Sequence, residues 1–365
     1  MADASLAVPS GRVPGSPDAV RAPENLRGLA YPFGRWVPRE GAMFEVLPGV
    51  FWLRMPLPMG GLDHINLWAL DDGDSWVLVD CGLGDARTRA LWETLFAGPL
   101  AGKPVTRVIA THFHPDHVGL AGWLCKRWGV TLEMTRSEYL MARMLQLDVQ
   151  PEAPDMAVAY WRQAGWPEDV IAAQRAQPWG RYAKLVPPLP GGFRRLEDGQ
   201  SLRIGGRDWR VVVGRGHAPE HACLVCDEAM ISGDQVLPRI TSNVSVFPTE
   251  PLANPLADWL DSIADLRALP EDLLVLPAHN EPFRGLHVRL DQLDADHGDK
   301  LARLVEHCGE ARTAFECFGV LFRRPVSEGD RGIATGEALA HLHWLEARGE
   351  LRRVVDGGVV RFLRG

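Results

Sequence analysis

Four side chains able to hold a metal ion fall within six residues, His112-Phe113-His114-Pro115-Asp116-His117, and no other stretch of this 365-residue chain is as dense in chemistry. Imidazole nitrogen and carboxylate oxygen are the donors expected for zinc. His112 and His114, one residue apart, can converge on one ion if the loop turns tightly, and Asp116 and His117 then point to a second. The alternative is a metal-free loop in which His112 and His117 cap a helix and His114 is exposed. Three histidines and an aspartate at the end of a buried strand are costly unless paired.

Such a cluster needs a strand behind it and a helix beyond it. Residues 105–110 are a β-branched apolar run that reads as a buried strand, and residues 118–128 have helical spacing. Upstream, residues 44–53, 65–70 and 76–80 read as strands, with Asp71-Asp72-Gly73-Asp74 as a turn. The third of these ends in Val79-Asp80-Cys81-Gly82 and leads into a helix over about residues 85–96. Asp80 either orients a ligand histidine or caps the turn, and spacing alone does not choose. His64 is a lone loop histidine and is read as a non-ligand.

Downstream, residues 129–135 form a short strand. Residues 137–182 turn helical, interrupted by prolines, and carry Met141, Met144, Trp161, Trp166 and Trp179. These side chains serve as ordinary packing or as the wall of a substrate pocket. The Pro187-Pro188-Leu189-Pro190-Gly191-Gly192 segment closes this insertion. A second β run over 193–213, with Asp198-Gly199 and Gly205-Gly206 as hairpin turns, ends in a glycine-flanked loop holding His217 and His221. Further strands run into Ser232-Gly233-Asp234 and, after a helix over 255–269, into Pro277-Ala278-His279-Asn280. Four times an apolar strand runs into a loop holding Asp or His.

That ordered set, H-x-H-x-D-H followed by a distant His, an Asp and a final His, resembles the metallo-β-lactamase fold hydrolases. The resemblance implies an α/β fold, a four-layered αββα sandwich. It places His112, His114 and His217 on a first zinc, Asp116, His117 and His279 on a second, and Asp234 between both. Asp80 matches the family's strand-end aspartate beneath the site. Gly216-His217-Ala218-Pro219-Glu220-His221, Ile231-Ser232-Gly233-Asp234 and the long helix after His279 resemble the subgroup of glyoxalase II-like thioesterases and β-lactamase-like endoribonucleases. In the latter a small winged helix follows. Here residues 313–316 start an apolar helical run, 335–342 begin a second helix, and 349–354 with 357–360 make a two-stranded wing. The implied plan is an extended arm over 1–38, a catalytic domain over 39–290 with a helical insertion at 137–190, and a linker helix with winged helix over 291–365. The family's Gly-His-Gly around the last ligand is Ala278-His279-Asn280 here, Cys81 stands where Thr or Ser is common, and no Lys and Arg cluster matches a glutathione-binding set.

The implied chemistry needs no Ser or Cys nucleophile. Two zinc ions about 3.5–4 Å apart lower the pKa of a bridging water, so that hydroxide is available near neutral pH, and they stabilise the developing oxyanion. Asp116 orients that hydroxide and relays its proton, while His221 either donates to the oxyanion or supports a ligand. Histidine at position 114, where iron-binding relatives carry Glu, points to two Zn2+ per chain, with Mn or Fe as alternatives. The expected function is a metal-dependent hydrolase of a small acyl substrate, a thioester foremost. The alternative is an endoribonuclease acting on single-stranded RNA, with a lactonase, a β-lactamase and a metal-sensing DNA-binding protein behind it.

Composition narrows these classes. The chain is 46% hydrophobic and 24% charged, which suits a soluble globular protein, and its net charge of -8 argues against nucleic acid as main partner. Residues 311–365 hold nine Arg against seven Asp plus Glu, a net of +2 that is weak for phosphate binding. No apolar run approaches a bilayer's thickness, and the first 38 residues lack the pattern of a secretion signal, so the expected location is the cytoplasm. The six cysteines are expected to be free buried thiols. Cys223 and Cys226 form a C-x-x-C in an apolar strand-like run, which reads as packing. Thirteen Trp and the apolar fraction leave room for a homodimer.

Overall fold

The computed structural model describes residues 23–59 and 62–365. Residues 1–22, most of the expected arm, lie outside the described residues. The rest of that arm is tied down: β1 (Glu24–Leu26) and β2 (Leu29–Tyr31) form an antiparallel hairpin whose Ala30 bridges to Arg284. Leu29, Tyr31 and Phe33 are buried, so this segment belongs to the packed domain.

A seven-stranded sheet follows, ordered as its strands occur in the sequence. It begins with β3 (Met43–Leu47), β4 (Val50–Met59), β5 (Leu62–Asp71) and β6 (Trp76–Val79), all antiparallel. The single strand expected over residues 44–53 is two. Pro48 cannot donate to a ladder and Gly49 turns the chain back, so β3 and β4 pair with each other. After α1 (Ala86–Ala97), capped by Asp85 accepting the Thr88 amide, β7 (Val105–Ile109) joins parallel to β6. The helical run expected over 118–128 is split into α2 (Pro115–Val118) and α3 (Ala121–Trp128), and β8 (Leu132–Met134) extends the parallel half.

The insertion contains α4 (Arg136–Leu147), α5 (Asp155–Gln163), α6 (Glu168–Arg175) and α7 (Tyr182–Leu185). β9 (Phe193–Arg195) then completes the first sheet beside β8, whereas β10 (Ser201–Ile204) opens a second one. Asp198-Gly199 therefore marks a crossing between sheets, not the expected hairpin turn. β10, β11 (Arg207–Gly214), β12 (His221–Val225) and β13 (Ala229–Gly233) are antiparallel. α8 (Pro255–Leu266) carries the chain over to β14 (Leu274–Pro277), parallel to β13.

The remaining chain forms α9 (Leu286–His307), a 3-10 turn at Phe315–Cys317, the four-residue α10 (Phe318–Leu321), α11 (Arg331–Ala347) and the hairpin of β15 (Leu351–Asp356) with β16 (Val359–Arg364).

Apolar side chains define the layers. Trp52, Trp68, Val77 and Ile109 of the first sheet meet Trp209, Leu224, Ile231 and Leu276 of the second. The first sheet's other face, through Leu53, Leu78 and Val108, covers Trp92, Leu124 and Tyr139 of α1, α3 and α4. The second sheet's other face, through Met230 and Val275, covers Trp259 of α8 and Leu290 of α9, and the same core takes in Trp161 of α5 with Leu342 and Phe362 of the C-terminal unit. The result is an αββα sandwich with a C-terminal domain packed on it. Each large apolar side chain buried this way contributes about 1.5–3 kcal/mol. All six cysteines are free and buried, and among the described residues no helix is long and apolar enough to cross a membrane.

Candidate metal centre

Loops after β6, β7, β11, β13 and β14 converge and carry every histidine and aspartate of the ordered set. Two groups form, His112, His114, His217 and Asp234 in one and Asp116, His117 and His279 in the other, with the candidate donor atoms of each within 4.8 Å of one another. His217 Nε2 lies 3.2 Å from His112 Nε2, and His114 Nδ1 lies 2.8 Å from the same nitrogen. In the second group His279 Nε2 is 3.5 Å and His117 Nε2 3.8 Å from Asp116 Oδ2. Asp234 stands between the groups: Oδ2 is 3.4 Å from His217 Nε2 and 3.6 Å from His117 Nε2, and Oδ1 is 3.3 Å from His279 Nε2.

Four of the five histidines in these groups are held by Nδ1, which turns Nε2 inward. His117 Nδ1 faces Asp80 Oδ2 at 2.7 Å, His217 Nδ1 donates to the Asn243 carbonyl at 2.7 Å, His279 Nδ1 donates to the His64 carbonyl at 2.7 Å, and His112 Nδ1 lies 3.1 Å from Thr111 Oγ1. His114 differs in presenting Nδ1. His117 Nε2, His279 Nε2 and Asp234 Oδ1 are buried and have no hydrogen-bond partner among the described residues. Orphaned buried polar atoms of this kind are costly. Their convergence with nitrogen and carboxylate donors fits a cation, and the groups are positioned to bind metal ions.

Electrostatics agree. Burial pulls the His117 pKa down, but the carboxylates of Asp80, Asp116 and Asp234 outweigh it and hold it well above the usual histidine value. Burial also opposes ionisation of Asp234, yet His279 and His117 keep its carboxyl well below the ordinary range. His112 and His114 are driven well below theirs, by burial first and then by neighbouring histidines.

Of the two readings of Asp80, the geometry takes the orienting one. Its Oδ1 accepts the Thr111 amide and its Oδ2 meets His117. Asp80 and Asn280, at φ of 65° and 67°, are two of the three non-glycine residues with left-handed backbone among those described. Such strain concentrates at functional sites, and Asn tolerates it where the resemblance leads one to expect Gly. His64 is outside both groups. It serves His279 with its carbonyl and accepts the Asn280 amide on Nε2 at 2.8 Å.

His221 is fully buried, and its Nε2 accepts the Asp234 amide at 3.1 Å. That nitrogen therefore carries no proton to give an oxyanion. Gly233 permits the contact, because a Cβ there would sit 2.5 Å from His221 Nε2.

Two contributors escaped the sequence. Glu138 accepts the Phe113 amide at 2.9 Å and the Glu220 amide at 2.7 Å, tying the first histidine loop to the loop of His217. Burial pushes its carboxyl up to about 8. Its one signal, Thr135-x-x-Glu138, is the pattern of a capping box, but Thr135 instead donates to the Glu220 carbonyl. The second is an aromatic wall in which Phe113 meets Tyr182 and Phe247, while the Tyr182 hydroxyl donates to the Phe113 carbonyl.

Comparison with known proteins places this geometry. Residues 60–279 match the family model described as Metallo-beta-lactamase superfamily, and residues 301–365 match the one described as Metallo-beta-lactamase-like, C-terminal domain. A beta-lactamase domain protein from Burkholderia ambifaria superposes with a TM-score of 0.85 at 43% identity over 92% of this chain and 98% of that one. A metallo-beta-lactamase family protein from Thermus thermophilus follows at 0.73, 28% identity, 87% and 99%. By sequence, the probable metallo-hydrolase YqjP of Bacillus subtilis is 24% identical over 86% of this chain and 97% of that protein. An atrochrysone carboxyl ACP thioesterase of Aspergillus fumigatus is 24% identical over 70% of this chain and 47% of that protein.

Proposed function

We propose, from the premise that this chain belongs to the metallo-β-lactamase superfamily and is a metal-dependent hydrolase, that it cleaves small acyl thioesters at a site built for two zinc ions. The observation that carries the reading is the Asp234 carboxylate, whose two oxygens lie 3.4 Å from His217 Nε2 and 3.3 Å from His279 Nε2, one nitrogen in each group. In this reading His112, His114 and His217 would hold one ion, Asp116, His117 and His279 would hold the other, and Asp234 would serve both. Ions held there supply Lewis acidity and make a water acidic enough to attack near neutral pH.

The chain's own residues do the rest. Asp80 fixes His117 through Nδ1, so the lone pair on Nε2 faces the centre. Asp116 is 9% exposed, within reach of both solvent and the His279 ring, which suits it to take a proton from the attacking water and return it to the leaving thiolate. His221 acts as a positioning residue, holding the Asp234 amide. Phe247 and Tyr182, both partly exposed and packed on the buried Phe113, would give an apolar acyl chain a surface beside the site.

A thioester is supported by the aromatic wall and by the thioesterase named among the relatives. The C-terminal unit is read as a winged helix, as far as its helices and hairpin go, with an architectural task. α11, the helix a nucleic-acid reader would have to expose, buries ten of its 17 residues. That weighs against the RNA and DNA readings. Among the described residues no helix is long and apolar enough to cross a membrane; a cytoplasmic location is part of the proposal and rests on the sequence reading.

Purified zinc-loaded protein assayed on acyl-CoA and acyl-pantetheine thioesters, lactones, β-lactams and single-stranded RNA tests this. Thioesters should lead in kcat/KM by at least about a hundredfold, which is about 2.7 kcal/mol of transition-state preference. Turnover of RNA with inert thioesters would overturn it.

A further inference from the structure

The loop between β13 and α8 links the metal centre to the C-terminal unit. At one end Ser242 Oγ donates to the Asp234 carbonyl and the Asn243 carbonyl accepts His217 Nδ1–H at 2.7 Å. Two residues of the centre thus lean on neighbouring positions of one segment. At the other end that segment is gripped by α11. The Val246 amide donates to the Gly336 carbonyl at 3.1 Å, and the Tyr160 hydroxyl donates to the Val246 carbonyl at 2.8 Å from the insertion. Gly336 is what lets the two backbones come so close, since a Cβ there would stand 2.8 Å from the Ser245 side chain.

The side chain of Asn243 is held at both ends. Its Nδ2 donates to Glu337 Oε2 at 2.8 Å, and its Oδ1 accepts the Ser245 hydroxyl. Glu337 in turn receives Lys300 Nζ of α9 on Oε1 at 3.2 Å, with both side chains largely buried at 13% and 10% exposure. A buried carboxylate with both oxygens engaged has little freedom to move, and a charge-assisted hydrogen bond from Asn243 is stronger than a neutral one.

We propose that Glu337 is a positioning residue of the metal centre, acting through Asn243 to set the carbonyl that fixes the His217 ring. The C-terminal unit then serves the reaction as a splint: it presents one carboxylate to the loop that aligns a ligand. Partners that orient ligand histidines are worth about tenfold to a hundredfold in metal affinity. The inference rests on the metal-centre reading above and adds a residue from outside the matched catalytic segment.

The test uses the full chain. Metal affinity is measured by competition with a chromophoric chelator for Zn2+, the ligand field is read from the visible spectrum of the Co2+-loaded protein, and folding is checked by circular dichroism. Glu337→Ala should bind metal about tenfold to a hundredfold more weakly and shift the Co2+ spectrum. Glu337→Gln keeps an acceptor for Asn243 and should recover most of the affinity. Asn243→Ala should match Glu337→Ala, and the double variant should be no worse than either single. Should Glu337→Ala fail to fold, Asn243→Ala and Glu337→Gln still decide. Wild-type affinity and spectrum in folded Asn243→Ala and Glu337→Ala overturn the proposal, as do single losses that multiply in the double variant. A wild-type chain that takes up no metal overturns the metal-centre reading itself, a distinguishable result.

Discussion

One carboxylate oxygen of Asp80, Oδ2, lies 2.7 Å from His117 Nδ1, while the other, Oδ1, accepts both the amide and the hydroxyl of Thr111. The end of β6 is thereby fastened to the end of β7, and the tautomer of one candidate ligand is chosen by a residue 37 positions away. Among the described residues Asp80 has His117 itself as its ion-pair partner. Its charge is spent on aiming His117.

Asp80→Asn should therefore be far from neutral. If the amide oxygen keeps Thr111, the amide nitrogen faces His117 Nδ1 and moves the imidazole proton to Nε2, where it blocks the lone pair. We expect metal affinity to fall about tenfold to a hundredfold, with little change in the circular dichroism spectrum. Chelator competition measures it, and unchanged affinity would remove Asp80 from the site.

Asp234 touches both groups, so its loss should act on both. On the two-ion reading proposed above, Asp234→Asn should lower metal content from two equivalents to one or fewer and cut kcat/KM by more than about a hundredfold. Elemental analysis of the dialysed protein reads the first, and initial rates on the best thioester read the second. Full occupancy in this variant would show that the carboxylate is not shared.

Removing metal should also cost stability. His117 Nε2, His279 Nε2 and Asp234 Oδ1 are buried without hydrogen-bond partners, and a ligand that binds only the folded state stabilises it by about 2.7 kcal/mol at a hundred times its Kd. Treatment with a chelator should lower the melting temperature by several degrees, and added Zn2+ should restore it. A melting temperature indifferent to the chelator contradicts the prediction.

Away from the metal, the α9–α11 contact makes stability sensitive to acid. His297 Nδ1 and His341 Nε2 are 3.1 Å apart and both rings are buried. Burial, then His341 and Lys300, pull the His297 pKa down to about 2, and burial lowers that of His341. The unfolded chain therefore binds more protons than the folded one once the pH drops below about 6.5. The contribution of this pair is complete above that pH and is lost as pH falls, at up to about 1.4 kcal/mol per pH unit for each ring that stays neutral. Denaturant unfolding of wild type and His297→Gln between pH 7.5 and about pH 5 should show a shallower loss in the variant. Parallel slopes would count against it.

Much of this protein was legible before folding. The strand runs ending in Asp80, His112, Asp234 and His279 are local patterns, and β6, β7, β13 and β14 stand where those patterns put them. Errors arose where the next partner of a strand mattered. Pro48-Gly49 split one expected strand into a hairpin, and β9 and β10, read as one β run, belong to different sheets because β9 has its partner in β8. Glu138 was missed for a similar reason: its sequence context advertises a helix cap, while its carboxylate is spent on amides 25 and 82 residues away.

The order and chemical type of the candidate ligands are properties of the chain alone, since each sits at a junction that hydrophobic periodicity and turn residues define locally. The sorting of those side chains into two groups and the place of Asp234 between them, implied by the family resemblance and left open by spacing alone, are fixed by the tertiary structure, which also chose the orienting reading of Asp80; the His64 carbonyl and Asn243 as groups that aim histidines came only with it. Those relationships join positions up to 215 residues apart. They depend on sheet register and on the close approach of backbones, as at Gly233 and Gly336. No local pattern encodes such distances, so packing alone decides which nitrogen faces the centre.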